Sequence, residues 1–526
     1  MECLQKGVIV LASSCLSVLQ VQSKDVQRER PNIVIFFADD HASQAISAYG
    51  HPVSKIAKTP NIDKIAENGM LFMNSFVENS ISTPSRATLL TGLYSHQHGQ
   101  RRLGCCLDYS KKWFPEYLQE NGYKTSVFGK WHLNAEPKGF DYFDILFDQG
   151  EYYNPKLRTS DSNGEYIINK GYATDIITDH AIDWLNQIKG ADQPFCIMVN
   201  HKAPHRNWMP DLKYIQMFEE DTFPEPTTLF DDYSSRGPQM ELQELTIDKH
   251  LGFAFDFKVE ELKGEPTLQY IKDSWDIAMS PMDSMQRKVW DSLYFKMNEP
   301  LLANMPQGKD LIKWKYQRYI KDYCRTIKSI DDQVGRVIRY LEDNNLMENT
   351  IIIYTSDQGF LLGEHGLYDK RFMYEESLQT PLMISYPKLI QPNKKCKQLV
   401  QNIDLMPTIL DVANIPVPED LPGMSLKPLF TGNESVEWRD NIYYQFYDYP
   451  AVGSVFPHYG IRTDRYKLIH WVDENEGDKS VVDFWELFDL ENDPDEVNNI
   501  YNAEKAKPIV AKLKQKLSER RKSIGK

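Results

Sequence analysis

Four short runs of the chain are almost continuously apolar: Asn32–Ala38, Thr125–Phe128, Phe195–Val199 and Thr350–Thr355. Runs of this length read as strands buried on both faces of a parallel sheet. Between them lie segments in which apolar residues return every three to four positions, the spacing of helices with one buried stripe. Examples are Asn61–Asn68, Ala173–Gln187 and Tyr316–Asp343. Strands alternating with helices predict an α/β domain around a large mixed, mostly parallel sheet flanked by helices. Beyond residue 400 the rhythm changes. Asp404–Leu410 reads as a capped helix, followed by period-two segments at Ile442–Phe446, Tyr459–Arg462, Tyr466–Trp471 and Trp485–Leu490. Ile509, Val510, Leu513 and Leu517 then have helical spacing on a basic final helix, whose lysines read as a solvated face.

This divides the chain into a main domain over 24–400 and a smaller α/β subdomain over 401–526. Within the main domain, residues 207–310 mix acids, aromatics and prolines, as in Phe223-Pro224-Glu225-Pro226, and read as an insertion shaping a substrate cleft. Residues 7–21 form an apolar stretch behind Lys6, too short to span a bilayer and typical of an export signal cleaved after Ser23. Cys15 after Ser13-Ser14 offers lipid anchoring as the alternative. The expected location is exported, periplasmic, with no transmembrane anchor. Of seven cysteines two lie in the signal, and the rest show neither C-x-x-C pairs nor metal-ligand spacing. The net charge of −15, from 60 basic and 75 acidic residues, argues against nucleic acid as a partner.

Each apolar run ends in polar chemistry. Asn32–Ala38 is followed by Asp39-Asp40-His41, Thr125–Phe128 by Gly129-Lys130-Trp131-His132, Phe195–Val199 by Asn200-His201-Lys202-Ala203-Pro204-His205, and Thr350–Thr355 by Ser356-Asp357-Gln358-Gly359. Open α/β sheets bind ligands at the carboxyl ends of their strands. Asp39, Asp40, Asp357 and Gln358 are hard oxygen donors, which suit Ca²⁺ better than zinc. A further segment starts a helix: Ser82 and Thr83 stand where N-cap residues are expected, Pro84 suits the first turn, and Gly92 suits the stop. A group there meets the free N–H donors of a helix N-terminus, which favour an anion.

Ser82-Thr83-Pro84-Ser85-Arg86, continued by Leu90-Thr91-Gly92, reads S-x-P-S-R-x-x-x-L-T-G and resembles the maturation signature of type I sulfatases, here of the serine type found among bacterial carbohydrate sulfatases. The resemblance extends over almost the whole mature chain, through Gly363-Glu364-His365-Gly366 and Glu486-Leu487-Phe488-Asp489-Leu490. It implies the alkaline-phosphatase-like fold and hydrolysis of sulfate esters. Ser82 is implied to be oxidised to formylglycine by a maturation enzyme, an anaerobic radical enzyme for serine. Asp39, Asp40, Asp357, Gln358 and the modified Ser82 are implied to hold Ca²⁺, Gln358 standing where the family often has Asn or His. Arg86 then orients the nucleophile, Lys130, Lys370 and His205 stabilise sulfuryl oxygens, a protonated His205 or a lysine serves the leaving alcohol, and His132 takes the proton that releases sulfate. The implied substrate is a sulfated carbohydrate such as a glycosaminoglycan or mucin fragment. His201, Arg206, Asn207, Trp208, Arg371 and His458 are the basic and aromatic candidates for reading the sugar. Two rivals stand beside this reading: a phosphodiesterase or phosphonate hydrolase of the same superfamily, and a non-catalytic glycan-binding protein in which Ser82 is never converted.

Overall fold

The computed structural model describes residues 30–432, 436–472 and 482–526; the export signal and Cys15 lie outside them. A ten-stranded sheet forms the centre, in the order Lys394–Cys396, Met70–Phe72, Leu382–Ser385, Thr350–Ser356, Asn32–Ala38, Phe195–His201, Lys124–Gly129, Tyr142–Leu146, Lys156–Thr159 and Ile167–Ile168. The middle five of these, from Thr350–Ser356 to Tyr142–Leu146, run parallel, and antiparallel partners close both edges. The four apolar runs are therefore neighbours at the centre, buried on both faces. Alternate side chains serve different layers. Val34 and Phe36 pack with the helices Pro60–Glu67, Ala173–Gln187 and Lys309–Asp343. Ile33, Ile35 and Phe37 pack with Ser82–Thr91, Phe114–Glu120 and Leu405–Val412.

The last of these helices lies beyond the expected boundary at residue 400, and its Met406, Ile409 and Leu410 complete the hydrophobic layer of the large sheet. The small sheet starts only at Asn441 and is antiparallel throughout: Asn441–Phe446, His458–Thr463, Tyr466–Trp471 and Phe484–Asp489. The helix Lys507–Ser523 covers one of its faces through Leu513 and Leu517. The stretch 207–310 forms no separate core: Trp275 and Trp290 join one cluster, Leu245 and Phe257 another. Among the described residues no helix is long and apolar enough to cross a membrane, and Cys105, Cys106, Cys196, Cys324 and Cys396 are free thiols.

Candidate active site

The pairing register brings the polar clusters together. Ala38 lies opposite both Ser356 and His201, so the chain leaves three adjacent strands at one level. Crossing hydrogen bonds lock the exits: Asp39 N–H donates to the Ala203 carbonyl (3.3 Å), and Asp357 N–H to that of Ala38 (3.3 Å). The neighbouring strand ends at Gly129, where φ is 90° and a Cβ would meet the Asn200 carbonyl at 2.1 Å. Only glycine turns the chain there, and the turn sends Lys130 into the cradle.

Ser82 is the first residue of the helix Ser82–Thr91, and Ile81 takes the N-cap position without a side-chain cap. Ser82 was expected to cap the helix; instead its Oγ donates to Asp39 Oδ1 at 3.2 Å. Its hydroxyl is thereby left facing the carboxylates rather than its own backbone. Arg86, one turn on, shares that face. Its guanidinium donates to the Lys130 carbonyl (2.9 Å) and to Asp357 Oδ2 (3.2 Å).

Asp39, Asp40, Asp357 and Gln358 are fully buried in one cradle. Lys130 pairs closely with Asp39 Oδ2. Lys370 donates to both oxygens of Asp40, at 2.6 and 2.7 Å. His205 Nε2 lies 3.9 Å from Asp40 Oδ2, at the rim, with 19 % of its side chain exposed. Burial alone would raise the Asp39 carboxyl, but Lys130, His205 and Arg86 hold it well below the usual range. The other two go the opposite way. Burial raises Asp40 to about 6 against the pull of Lys370, and burial together with the Asp39 charge raises Asp357 to about 8. A divalent cation would supply the charge that keeps all three ionised. The donor set fits that ion: three buried carboxylates, plus a Gln358 Oε1 that is buried without a partner while the amide nitrogen donates to Asp40 and Asp357.

Lys130, His132, His205 and Lys370 all reach this cradle or its wall, joined by residues that sequence reasoning missed. Gln149 is one. Its Oε1 accepts from Lys130 Nζ (2.6 Å), so its amide nitrogen faces His132 Nε2 (2.9 Å). Burial and Lys130 push His132 well below its usual range. The ring is neutral, with its Nε2 lone pair engaged and its proton on Nδ1. Gln149 follows the strand Tyr142–Leu146, and that strand was the signal available to find it. Lys202 lies inside the His-Lys-Ala-Pro-His motif itself; burial, then Lys130, lowers it to about 7, and it donates to the Gln149 carbonyl (3.1 Å). His205 is also pushed well below its usual range by burial and Lys130, which disfavours its protonated form in the absence of a bound anion and leaves a lysine as the other expected acid.

The six sugar-reading candidates separate. Trp208 is fully buried, 4.6 Å from the Tyr319 ring, because its strand-end loop turns it into the core. His201 is the last residue of its strand and shares a hydrogen bond with Thr178 (3.1 Å) on the helix beneath. Asn207 is buried and donates to the Phe255 carbonyl (3.2 Å). Arg206 spends its charge in a two-pronged pair with buried Asp256, at 2.7 and 2.8 Å. Arg206 and Asn207 hold the 207–310 stretch against the strand ends, and all four are engaged within the protein. Arg371 is different. It pairs with Asp369 (3.0 Å), keeps Nε without a partner, and flanks Lys370; Asp369 and Arg371 both sit in the left-handed region, at φ 77° and 90°. His458 is buried against Trp471, with Nδ1 on the Phe456 carbonyl and Nε2 unpartnered. Its neighbour Tyr444 donates to the Arg371 carbonyl (2.8 Å), so the small sheet abuts this loop.

Comparison with known proteins accords with this geometry. The sulfatase family profile matches residues 31–415, and that of the C-terminal region of N-sulphoglucosamine sulphohydrolase matches residues 363–523. The chain is 42 % identical to an N-acetylglucosamine-6-O-sulfatase of Bacteroides thetaiotaomicron over 93 % of its length and 86 % of that protein. A solved structure at the same identity, with a TM-score of 0.86 over 94 % of this chain and 98 % of that one, is a complex with its substrate D-glucosamine-2-N,6-O-disulfate. A phosphonate monoester hydrolase from Silicibacter pomeroyi shares the fold, at 18 % identity and a TM-score of 0.70 over 94 % and 96 % of the two chains.

Proposed function

The chain belongs to the sulfatase family and hydrolyses sulfate esters, and from that premise we propose that it removes 6-O-sulfate from glucosamine units of sulfated glycosaminoglycan fragments outside the cytoplasm. One observation carries the reading: Ser82 faces Asp39 at a helix start, inside a cradle where Arg86, Lys130, His205 and Lys370 converge on one buried carboxylate cluster. The sugar assignment follows the substrate named for the 42 % identical relative.

Ca²⁺ would be held by Asp39, Asp40, Asp357 and Gln358 and would supply Lewis-acid polarisation of a sulfate oxygen. Formylglycine at position 82 would, as its hydrate, offer two hydroxyls on one carbon, one to serve as nucleophile and one whose deprotonation would release sulfate, which serine cannot offer. The chain's own residues supply the rest. Arg86 fixes the position-82 side chain through Asp39, whose Oδ1 it approaches at 3.5 Å and which accepts from Ser82. Lys130 and Lys370 neutralise charge on the sulfuryl oxygens in a water-poor site. His205 gains its proton only when an anionic sulfate faces it, which couples its acid role to substrate binding. His132 accepts the proton for sulfate release at Nε2, once Gln149 yields that atom. Asp369 and Arg371, with His458 behind them, are the groups placed to read sugar hydroxyls next to Lys370.

The test is sulfate release from glucosamine-6-sulfate, compared with hydrolysis of 4-nitrophenyl sulfate and a phenyl phosphonate ester. The 6-sulfated sugar should be preferred by orders of magnitude in kcat/KM. Arg371→Ala should raise KM for the sugar and leave the aryl ester unaffected. Preference for the phosphonate would overturn the reading in favour of the superfamily rival.

A further inference from the structure

One hydrogen bond orients His132. Among the described residues its Nδ1 has no partner, and its Nε2 bonds only to the Gln149 amide nitrogen, at 2.9 Å. Gln149 stands in a tight turn just after the strand Tyr142–Leu146, where the Gly150 N–H donates to the Phe147 carbonyl at 2.7 Å and Gly150 takes φ 74°. Two contacts pin that turn to the site. Buried Lys202 donates through Nζ to the Gln149 carbonyl at 3.1 Å and lies 4.9 Å from the Tyr152 ring centre. The Tyr152 hydroxyl donates to the His205 carbonyl at 2.5 Å. Residues 149–152 therefore touch both histidines of the mechanism and, through the Gln149 side chain, Lys130 as well.

The amide can serve His132 in two orientations, and Lys130 selects between them. An ammonium only donates, so Gln149 Oε1 faces Lys130 at 2.6 Å and the amide N–H groups are left for the ring. In that orientation His132 Nε2 spends its lone pair on Gln149, and a proton added there would meet an N–H. Turning the amide over would present Oε1 to a protonated Nε2, but would set an NH₂ group against the Lys130 charge. A sulfate oxygen beside Lys130 removes that penalty, because it balances the ammonium and can accept from the NH₂. We propose that Gln149 is a positioning residue that ties the base to the sulfate pocket: it withholds His132 Nε2 until Lys130 faces sulfate, and then accepts from the protonated ring. The proposal rests on the reading of His132 as the group that takes the proton at sulfate release. Other influences on the ring are less directional. Burial, Lys130, Arg86 and Lys370 oppose its protonation and Asp39 favours it. Asp148 Oδ1, exposed at the rim 3.9 Å from Nε2, also favours it but lies beyond hydrogen-bond reach.

The test joins the pH profile of kcat to the ring NMR signals of His132 in the matured, calcium-loaded enzyme, with His132→Gln identifying the signals. Gln149→Glu offers only acceptors to Lys130 and the ring, so His132 should keep its proton to a pH higher by about 1–3, and the acid limb of kcat should move with it. Gln149→Leu keeps the bulk and loses both bonds. It should lower kcat roughly 10–100-fold, as loss of an orienting partner does at other sites, with KM changed far less. A role in folding alone would lower the melting temperature and leave the His132 titration where it was. Asp148→Asn should move that titration the other way and by less. Wild-type kcat in Gln149→Leu overturns the proposal, as does an unmoved His132 titration in Gln149→Glu or a larger shift in Asp148→Asn. If His132→Gln itself keeps wild-type kcat, the reading of His132 falls and takes the proposal with it; if His132→Gln loses kcat and Gln149→Leu does not, the proposal alone falls. 4-Nitrophenyl sulfate is assayed beside glucosamine-6-sulfate, so that the same shifts with the aryl ester uphold the role of Gln149 even where the sugar is not cleaved.

Discussion

The ends of the central parallel strands and the interior of the small sheet both bury charge, and they treat it differently. At the strand ends, Asp39, Asp40 and Asp357 crowd together, two of them pushed toward neutrality, and Gln358 Oε1 has no partner. In the small sheet, Lys467 lies between Glu375 and Glu496 at 2.8 Å each, and Arg462 joins Glu375 at 3.0 Å. Glu486 accepts from Trp471 (2.8 Å) and Gln239 (2.9 Å). Burial raises Glu486 as well, to about 7, but both of its oxygens accept hydrogen bonds, whereas the strand-end carboxylates repel one another beside an unpartnered Gln358 Oε1, an arrangement suited to a ligand. Backbone geometry separates the regions in the same way. Asp40, His132, Asp369 and Arg371 all adopt left-handed φ, whereas no residue of the four small-sheet strands does.

The contrast is breakable at several points. The largest effect is expected at Ser82. Ser82→Ala removes a side chain whose one hydrogen bond runs to Asp39, so turnover should fall roughly 10⁴–10⁶-fold while thermal stability stays near wild type. Initial rates together with a melting curve check this; retained turnover would show that position 82 is not the nucleophile. Next is Lys370→Ala, which leaves Asp40 without its closest cation and should cost about 10²–10³ in kcat. Near-normal kcat in that variant would break the claim that the strand-end charges serve catalysis.

Lys467→Met probes the other region. It strands Glu496 and leaves Glu375 with Arg462 alone, so a stability loss of about 3–5 kcal/mol is expected in denaturant titration, with kcat of the surviving folded enzyme changed much less. A large kcat defect without loss of stability would erase the distinction between the two regions.

The smallest effect concerns pH. In the cation-free protein Asp40 and Asp357 titrate above the ordinary carboxylate range, at about 6 and about 8. The folded state therefore holds more protons than the unfolded chain between the ordinary range and about 8. Stability from these groups is present at low pH and is lost as pH rises through about 8. Calcium should reverse that trend. Its affinity should strengthen with rising pH and its binding should release protons, and at a hundredfold excess over Kd it adds ~2.7 kcal/mol. Melting temperatures with chelator and with Ca²⁺ at pH 5.5, 7 and 8.5 test both signs. A calcium shift that is independent of pH would remove these two carboxylates from the ligand set.

Much of the molecule was legible in its amino-acid order, because local pattern determines local structure. The continuous apolar runs Asn32–Ala38 and Thr350–Thr355 announced central strands, and the 3.6-residue stripe announced Ala173–Gln187. The residues after those strands were visible as chemistry, because strand ends in such sheets share one edge. Other features are set by contacts between distant segments. The helix Leu405–Val412 joins the large sheet because its apolar face fits that layer, a choice that chain position does not encode. Trp208 and His201 look like sugar readers in the sequence, but the loop after the strand turns Trp208 into the core, and His201, the last strand residue, faces Thr178 on the helix beneath. Gln149 becomes part of the site only because its strand lies beside Lys124–Gly129. Composition and periodicity state what each segment buries. Which buried surfaces meet, and which polar atoms are left without partners when they do, is decided only when the whole chain has packed.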